Sequence, residues 1–158
     1  MNIVNVDDIP KDIHNINIGC QDEVDTAYRL CREMELLCIE LGGIGLAAPQ
    51  VGIPLNLFVV NHRYSQYWIN TKYTPVGSSQ FWSQEGCLSI PNEIYSVLRH
   101  NKIRVQGYLL EKYNDRITSL YQNIFVDVSD LLKLVVIQHE SDHCLGKLIK
   151  DIGIKVIQ

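Results

Sequence analysis

No run of residues in this chain is apolar for long enough to span a bilayer, so the sequence predicts no transmembrane helix. Positive charge is not in excess: 14 Lys and Arg stand against 18 Asp and Glu, a net charge of −4. That balance gives no electrostatic reason to expect nucleic acid or an anionic membrane as the main partner. The opening residues, Met1 to Asp8, lack a basic stretch followed by an apolar core, so the reading includes no secretory leader. Internal repeats, low-complexity tracts and domain linkers are also missing. The five cysteines (Cys20, Cys31, Cys38, Cys87 and Cys144) form an odd set without small-scaffold spacing, which fits a reducing compartment rather than a disulfide framework. What remains is ordinary for a globular domain: 158 residues, 46% hydrophobic and 20% charged, read as one domain spanning 1–158.

Periodicity gives a coarse map. From Asp22 to Leu41, the residues Val24, Ala27, Cys31, Met34, Cys38 and Leu41 step by three and four, which predicts an amphipathic helix with Asp22 as N-cap and Gly42–Gly43 as its stop. Leu55 to Val60 reads as a strand. The stretch from His62 to Gln84 has no clean period and reads as loop with short strands. Ile103, Val105, Gly107 and Leu109 alternate, as does part of Arg116 to Val128, predicting antiparallel strands. A second helix is expected from about Ser129 to Gly146. Helix, several strands, then helix describes an α+β class: mainly antiparallel β-sheets packed around a central metal-binding helix, with an N-terminal helix.

Chemistry concentrates in three segments. The first to notice is His139-Glu140-Ser141-Asp142-His143. Histidines four apart lie on one helix face, so both imidazoles reach a single ion, and the glutamate between them is placed to handle the protons of a bound water. A thiolate from elsewhere would complete three ligands and leave one position open, the pattern of a catalytic site rather than a structural one. Cys87, within Glu85-Gly86-Cys87-Leu88-Ser89, is the candidate. Cys144 points about 100° away from His143 and is read as packing, as are Cys31 and Cys38. The third segment is Gly43-Ile44-Gly45-Leu46-Ala47-Ala48-Pro49-Gln50. Its small residues let a second backbone approach, as in strand addition, and Gln50 offers an amide donor to a developing oxyanion. It lacks the lysine of a phosphate loop, and no helix is expected after it.

Taken together and in this order, the segments resemble peptide deformylases, which carry Gly-x-Gly-x-Ala-Ala-x-Gln, Glu-Gly-Cys-x-Ser and Gln-His-Glu-x-Asp-His. Here these stand as Gly43 to Gln50, Glu85 to Ser89 and Gln138 to His143, and the likeness runs from the first helix to about Asp151. The resemblance implies a hydrolase that removes the N-terminal formyl group from formyl-methionyl nascent peptides. It implies one divalent metal per chain on Cys87, His139 and His143, ferrous iron in physiology, with zinc, nickel or cobalt able to substitute. Metal-bound water is then the nucleophile and Glu140 the general base and acid. Gln50 and the backbone N–H of Leu88 stabilise the oxyanion. Gly43, Ile44, Gly45, Val135 and Val136 bind the substrate. Glu85 and Arg99 are expected to pair behind the ligands, with Asp142 orienting the same shell.

The resemblance further implies a monomer in the bacterial cytoplasm, a phage-infected cell included, with only transient ribosome proximity and no direct contact with nucleic acid or membrane. The sequence departs from the family pattern at Ser141, where an apolar residue is usual, at Asn70-Thr71, where many members have Asn-Pro, and at Ile94, where a basic residue often stands. The short stretch after His143 reads as a minimal version without a C-terminal helix. A zincin-type metalloprotease is the second reading; only one acid (Asp151) and no histidine follow His143 to supply its third ligand. An inactive, peptide-binding homologue is the third.

Overall fold

A computed structural model describes residues 1–157. Helix α1 (Gln21–Glu40) turns its buried stripe (Val24, Ala27, Cys31, Met34, Cys38) inward, at the spacing expected for an amphipathic helix. Its N-cap lies two residues earlier than the sequence predicts: Cys20 takes that position, and Asp22 sits in the first turn beside Glu23. Both acids there favour the positive end of the helix dipole. Gly42, at φ 70°, adopts the left-handed conformation that ends the helix.

Strand β1 (Gly45–Ala47) leads into a 3₁₀ turn, Ala48–Val51, where no helical structure was expected. Strands β2 (Leu57–His62), β3 (Tyr64–Pro75), β4 (Gln80–Cys87), β5 (Ile90–His100), β6 (Lys102–Tyr113) and β7 (Arg116–Asp127) follow. After a short 3₁₀ turn come α2 (Leu131–His143), α3 (Ile149–Ile152) and β8 (Gly153–Lys155). The first expected strand thus begins at Leu57 rather than Leu55, and the second long helix at Leu131 rather than Ser129. Among the described residues no helix is long and apolar enough to cross a membrane.

The strands form a five-stranded sheet, β1-β2-β3-β6-β7, and a three-stranded sheet, β4-β5-β8, with every strand pairing antiparallel. The fold class is the α+β arrangement anticipated. In β2, Leu57 and Val59 enter the core cluster beneath α1, while Phe58 and Val60 enter the one beneath α2. The large sheet is therefore covered on both faces near its centre, and the second half of α2, from Val136 to His143, is buried.

That double burial explains why 62–84, expected as loop with short strands, differs in the structure. Two long strands lie there. In β3, Tyr67 and Ile69 pack under α1 and Trp68 packs under α2, so consecutive residues are buried and no polar alternation survives. A bulge between Ile69 and Lys72 removes the remaining period. Asn70, at φ 51°, occupies the bulge and clamps the N-terminal segment: its side chain accepts from the Ile16 N–H and donates to the Ile16 carbonyl, both at 2.8 Å. Asn70-Thr71 is thus a strand bulge, not a loop.

Glu35 links α1 to β3. Burial would raise its pKa, but hydrogen bonds from Ser65 and Tyr67 and the Arg32 charge outweigh burial and hold it below the usual glutamate range. A depressed native pKa stabilises the fold above the unfolded value, and that stability is lost as pH falls through the native value. Urea midpoints measured from neutral to acid pH should fall more steeply for wild type than for Glu35→Gln. Parallel curves would refute this role.

Candidate metal centre

The site forms where α2 crosses beneath the end of β4. Strands β4 and β5 close as a tight hairpin, with Cys87 paired to Ile90 and only Leu88 and Ser89 between them. The turn delivers the Cys87 sulfur onto the α2 face carrying His139 and His143. One donor atom from each of these three side chains lies within 4.8 Å of the other two, and Cys87 Sγ is 3.4 Å from His143 Nε2. The imidazoles are edge-on, with centroids 4.8 Å apart.

The chemistry of the surrounding atoms fits a metal. His143 Nδ1 lies 3.1 Å from the Lys147 carbonyl oxygen, which can only accept, so Nδ1 carries the proton and Nε2 keeps its lone pair. His139 Nδ1 is 2.8 Å from Glu85 Oε2 and is oriented the same way. Burial and the neighbouring His139 push the His143 pKa well down, into the neutral, ligating form. Burial also opposes charge on His139, but hydrogen bonds to Cys87 and Glu85 outweigh it and push its pKa up to about 10.

Behind the imidazoles lies a buried charge chain. Arg99 Nε and a terminal nitrogen donate to the two oxygens of Glu85 at 2.7 and 2.8 Å. The other terminal nitrogen donates to Asp142 Oδ2 at 2.5 Å, and the Tyr73 hydroxyl approaches Asp142 Oδ1 at 3.4 Å. Arg99, Glu85 and Asp142 are each 5% exposed or less, so this chain is a rigid backing to the site. Burial alone would raise the Glu85 pKa; the Arg99 and His139 hydrogen bonds instead bring it to about 2. The Glu85–Arg99 pairing anticipated from the motifs is present.

Glu140 lies on the same helix, 4% exposed, with Oε2 unpartnered. Burial raises its pKa to about 7. Its carboxylate presses against the backbone of Gly45: a Cβ placed there would lie 2.9 Å from both Glu140 Cγ and Cδ. The Gln50 side chain is fixed at both ends. Oε1 accepts from the Ala47 N–H at 2.9 Å, while Nε2 faces Ser89 Oγ at 3.1 Å and Cys87 Sγ at 3.5 Å. An amide anchored in this way presents its N–H edge toward the donor atoms.

A cleft of about 950 Å³ opens from these groups. Gly43, Ile44, Gly45, Val135 and Val136 all line it, as do Gln50, Cys87, Leu88, His139 and Glu140; His143 reaches the site from behind this lining, through its contact with Cys87. Ile94 stands at its rim, packed over Gly86. Ser141 is buried with its hydroxyl unpartnered and lies off the histidine face. The sequence reading missed Ile3, which also lines the cleft because Val4 N–H bonds the Gln50 carbonyl at 3.0 Å. It also missed Tyr73 and the Lys147 carbonyl, which carry no local pattern.

This fold and site define a metallohydrolase domain. Residues 6–155 match the family model described as polypeptide deformylase. A peptide deformylase of Karelsulcia muelleri is 33% identical over 139 residues, covering 82% of this chain and 68% of that one. One from Treponema pallidum is 40% identical over 111 residues, covering 70% and 62%. The crystal structure of a probable peptide deformylase from Synechococcus phage S-SSM7 superposes with a TM-score of 0.77 at 28% identity, covering 96% of this chain and 98% of that one. The chain belongs to the peptide deformylase family.

Proposed function

We propose that this protein hydrolyses the N-terminal formyl group of formyl-methionyl peptides, yielding formate and a free α-amine. One observation carries the reading: the Cys87, His139 and His143 donors converge beside an open cleft whose lining includes the buried Glu140 carboxylate, held against Gly45.

Strand β1 is an edge of the large sheet, so its outer side is open to an extended peptide that pairs along Gly43 to Gly45. Ile44, Val135 and Val136 offer apolar surface to the methionine side chain. A divalent ion held by Cys87, His139 and His143 supplies a Lewis acid and lowers the pKa of water toward about 7. Glu140 accepts the proton released as oxygen attacks the formyl carbon. Gln50 Nε2 and the Leu88 backbone N–H donate to the carbonyl oxygen as it becomes negative. When the C–N bond breaks, Glu140 returns the proton to the amine nitrogen.

The ion we assign is ferrous iron, one per chain. Zinc, nickel and cobalt are also compatible, since thiolate and imidazole donors accept all of them. Nascent chains met transiently at the ribosome, in the bacterial cytoplasm, are the substrates, and the working form is a monomer.

Gly45→Ala tests the placement of Glu140. A Cβ at Gly45 displaces the carboxylate, and kcat should fall on the order of 10²-fold with metal content little changed, alongside a loss of stability of about 1–3 kcal/mol from overpacking. Unaltered kcat would show that Glu140 is not held by Gly45. The function itself is tested by offering one peptide sequence in N-formyl-Met and unblocked forms. The expected result is formate and new α-amine in equal amounts from the formylated form, with internal peptide bonds intact. Internal cleavage would instead assign a metalloprotease, and binding without formate an inactive homologue.

A further inference from the structure

The small sheet has two unlike faces. Register pairs Glu85 with Tyr95 and Ser83 with Val97, and this inner face packs on α3 through Tyr95 and Val97. The alternate residues point the other way. Trp82 is paired with Leu98, Gln84 with Ser96, and Ser96 with Ile154 on the edge strand β8. On this outer face Trp82 is 59% exposed, Leu98 41% and Ile154 64%. None of these outward residues is an acid, a lysine or an arginine.

The apolar patch is continuous with the cleft. Ile94, Ser96 and Leu98 follow each other at every second position of β5, as Trp82, Gln84 and Gly86 do on β4. The cleft is lined by Gln84, Gly86 and Ile94, the near ends of both rows. A Cβ at Gly86 would lie 3.6 Å from Ile94 Cδ1, which fixes the two on one face. From Ile94 to Leu98 the strand rises about 13 Å, the reach of roughly four extended residues.

We propose that this outer face is an extended binding platform for the downstream part of the substrate peptide, and that Trp82 and Leu98 favour apolar over charged residues there. The inference rests on the deformylase reading of the cleft and adds to it a contact surface beyond the first residues of the peptide. A peptide leaving the cleft past Ile94 meets an uncharged, apolar surface. Charged side chains gain nothing there, while apolar ones are removed from water.

The test compares kcat/KM for a formyl-Met tripeptide with that for formyl-Met peptides of about eight residues whose distal half is either leucine-rich or glutamate-rich. Wild type should favour the long apolar peptide over the tripeptide by roughly five- to tenfold, since an open face buries less of a side chain than a closed pocket does. It should show no such gain with the acidic peptide. In the Trp82→Ser, Leu98→Ser double variant the ratio of long to short should fall to about one. Because the ratio is taken within each protein, a general loss of folding or metal cancels. Emission from Trp82 gives an independent reading, since Trp68 is fully buried: the long apolar peptide should shift it in the Glu140→Gln variant, and the tripeptide should not.

A ratio near one in wild type, or a gain that survives in the double variant, overturns the proposal. So does a concentration-dependent dimer in sedimentation that the double variant abolishes, because the face would then belong to a second copy. No formate from the tripeptide in metal-loaded wild type is a different failure: it removes the deformylase reading, and the platform with it.

Discussion

Glu140→Gln should abolish nearly all turnover while leaving the metal in place. Glutamine keeps the shape and packing of the side chain, so the ligands on the same helix remain where they are. What it loses is the capacity to accept a proton and return it. General acid–base contributions of this kind are worth about 10²–10⁴-fold, and here a single carboxylate is asked to act twice in one cycle. Its environment suits that task. Burial raises its pKa to about 7, near the pH at which it must both take and give a proton, and its Oε2 has no competing partner. The neutral amide also removes a buried charge, so the variant should be at least as stable as wild type. Steady-state kcat and metal per chain measure the outcome; turnover within a few-fold of wild type would take the general-base role away from Glu140.

Arg99→Met should cause the largest loss of stability. The guanidinium is 2% exposed and holds both Glu85 oxygens and one Asp142 oxygen. Without it Glu85 keeps only His139 and Asp142 only the long Tyr73 contact, and breaking a buried ionic network in this way typically costs about 3–5 kcal/mol. The site should suffer as well. Glu85, no longer held near 2, takes up a proton and stops acting as a charged acceptor for His139 Nδ1. Losing such an outer partner lowers metal affinity by about 10–100-fold. Urea unfolding and competition with a chelator report the two effects separately. A destabilisation under about 1 kcal/mol would mean that the carboxylates find other partners.

The parts of this protein that could be read from sequence are those set by local geometry. Histidines at 139 and 143 share a helix face wherever that helix lies, and the stripe from Val24 to Cys38 marks a buried helix face without reference to the rest of the fold. The motif around Cys87 became a ligand candidate only beside the pentad, and the chain supports that pairing through the tight turn at Leu88–Ser89. Strand β3 was illegible for a physical reason: Tyr67, Trp68 and Ile69 are buried on alternate faces between two cores, so its hydrophobic pattern has no period. Likewise the Lys147 carbonyl, which fixes the tautomer of His143, is a backbone atom whose role depends on the turn after α2. Ile3 reaches the cleft because the neighbouring Val4 N–H bonds the Gln50 carbonyl, which no pattern of side chains announces.

Formyl hydrolysis depends, in the reading proposed above, on one ion held by Cys87, His139 and His143. Formate release from a formyl-Met peptide, followed as metal-free protein is titrated anaerobically with ferrous iron, tests it most directly. Turnover should rise in proportion to bound iron and level off at one ion per chain, with Cys87→Ala failing to recover activity at the same iron concentrations. Full turnover without bound metal, or one ion per chain with no formate released, would contradict it.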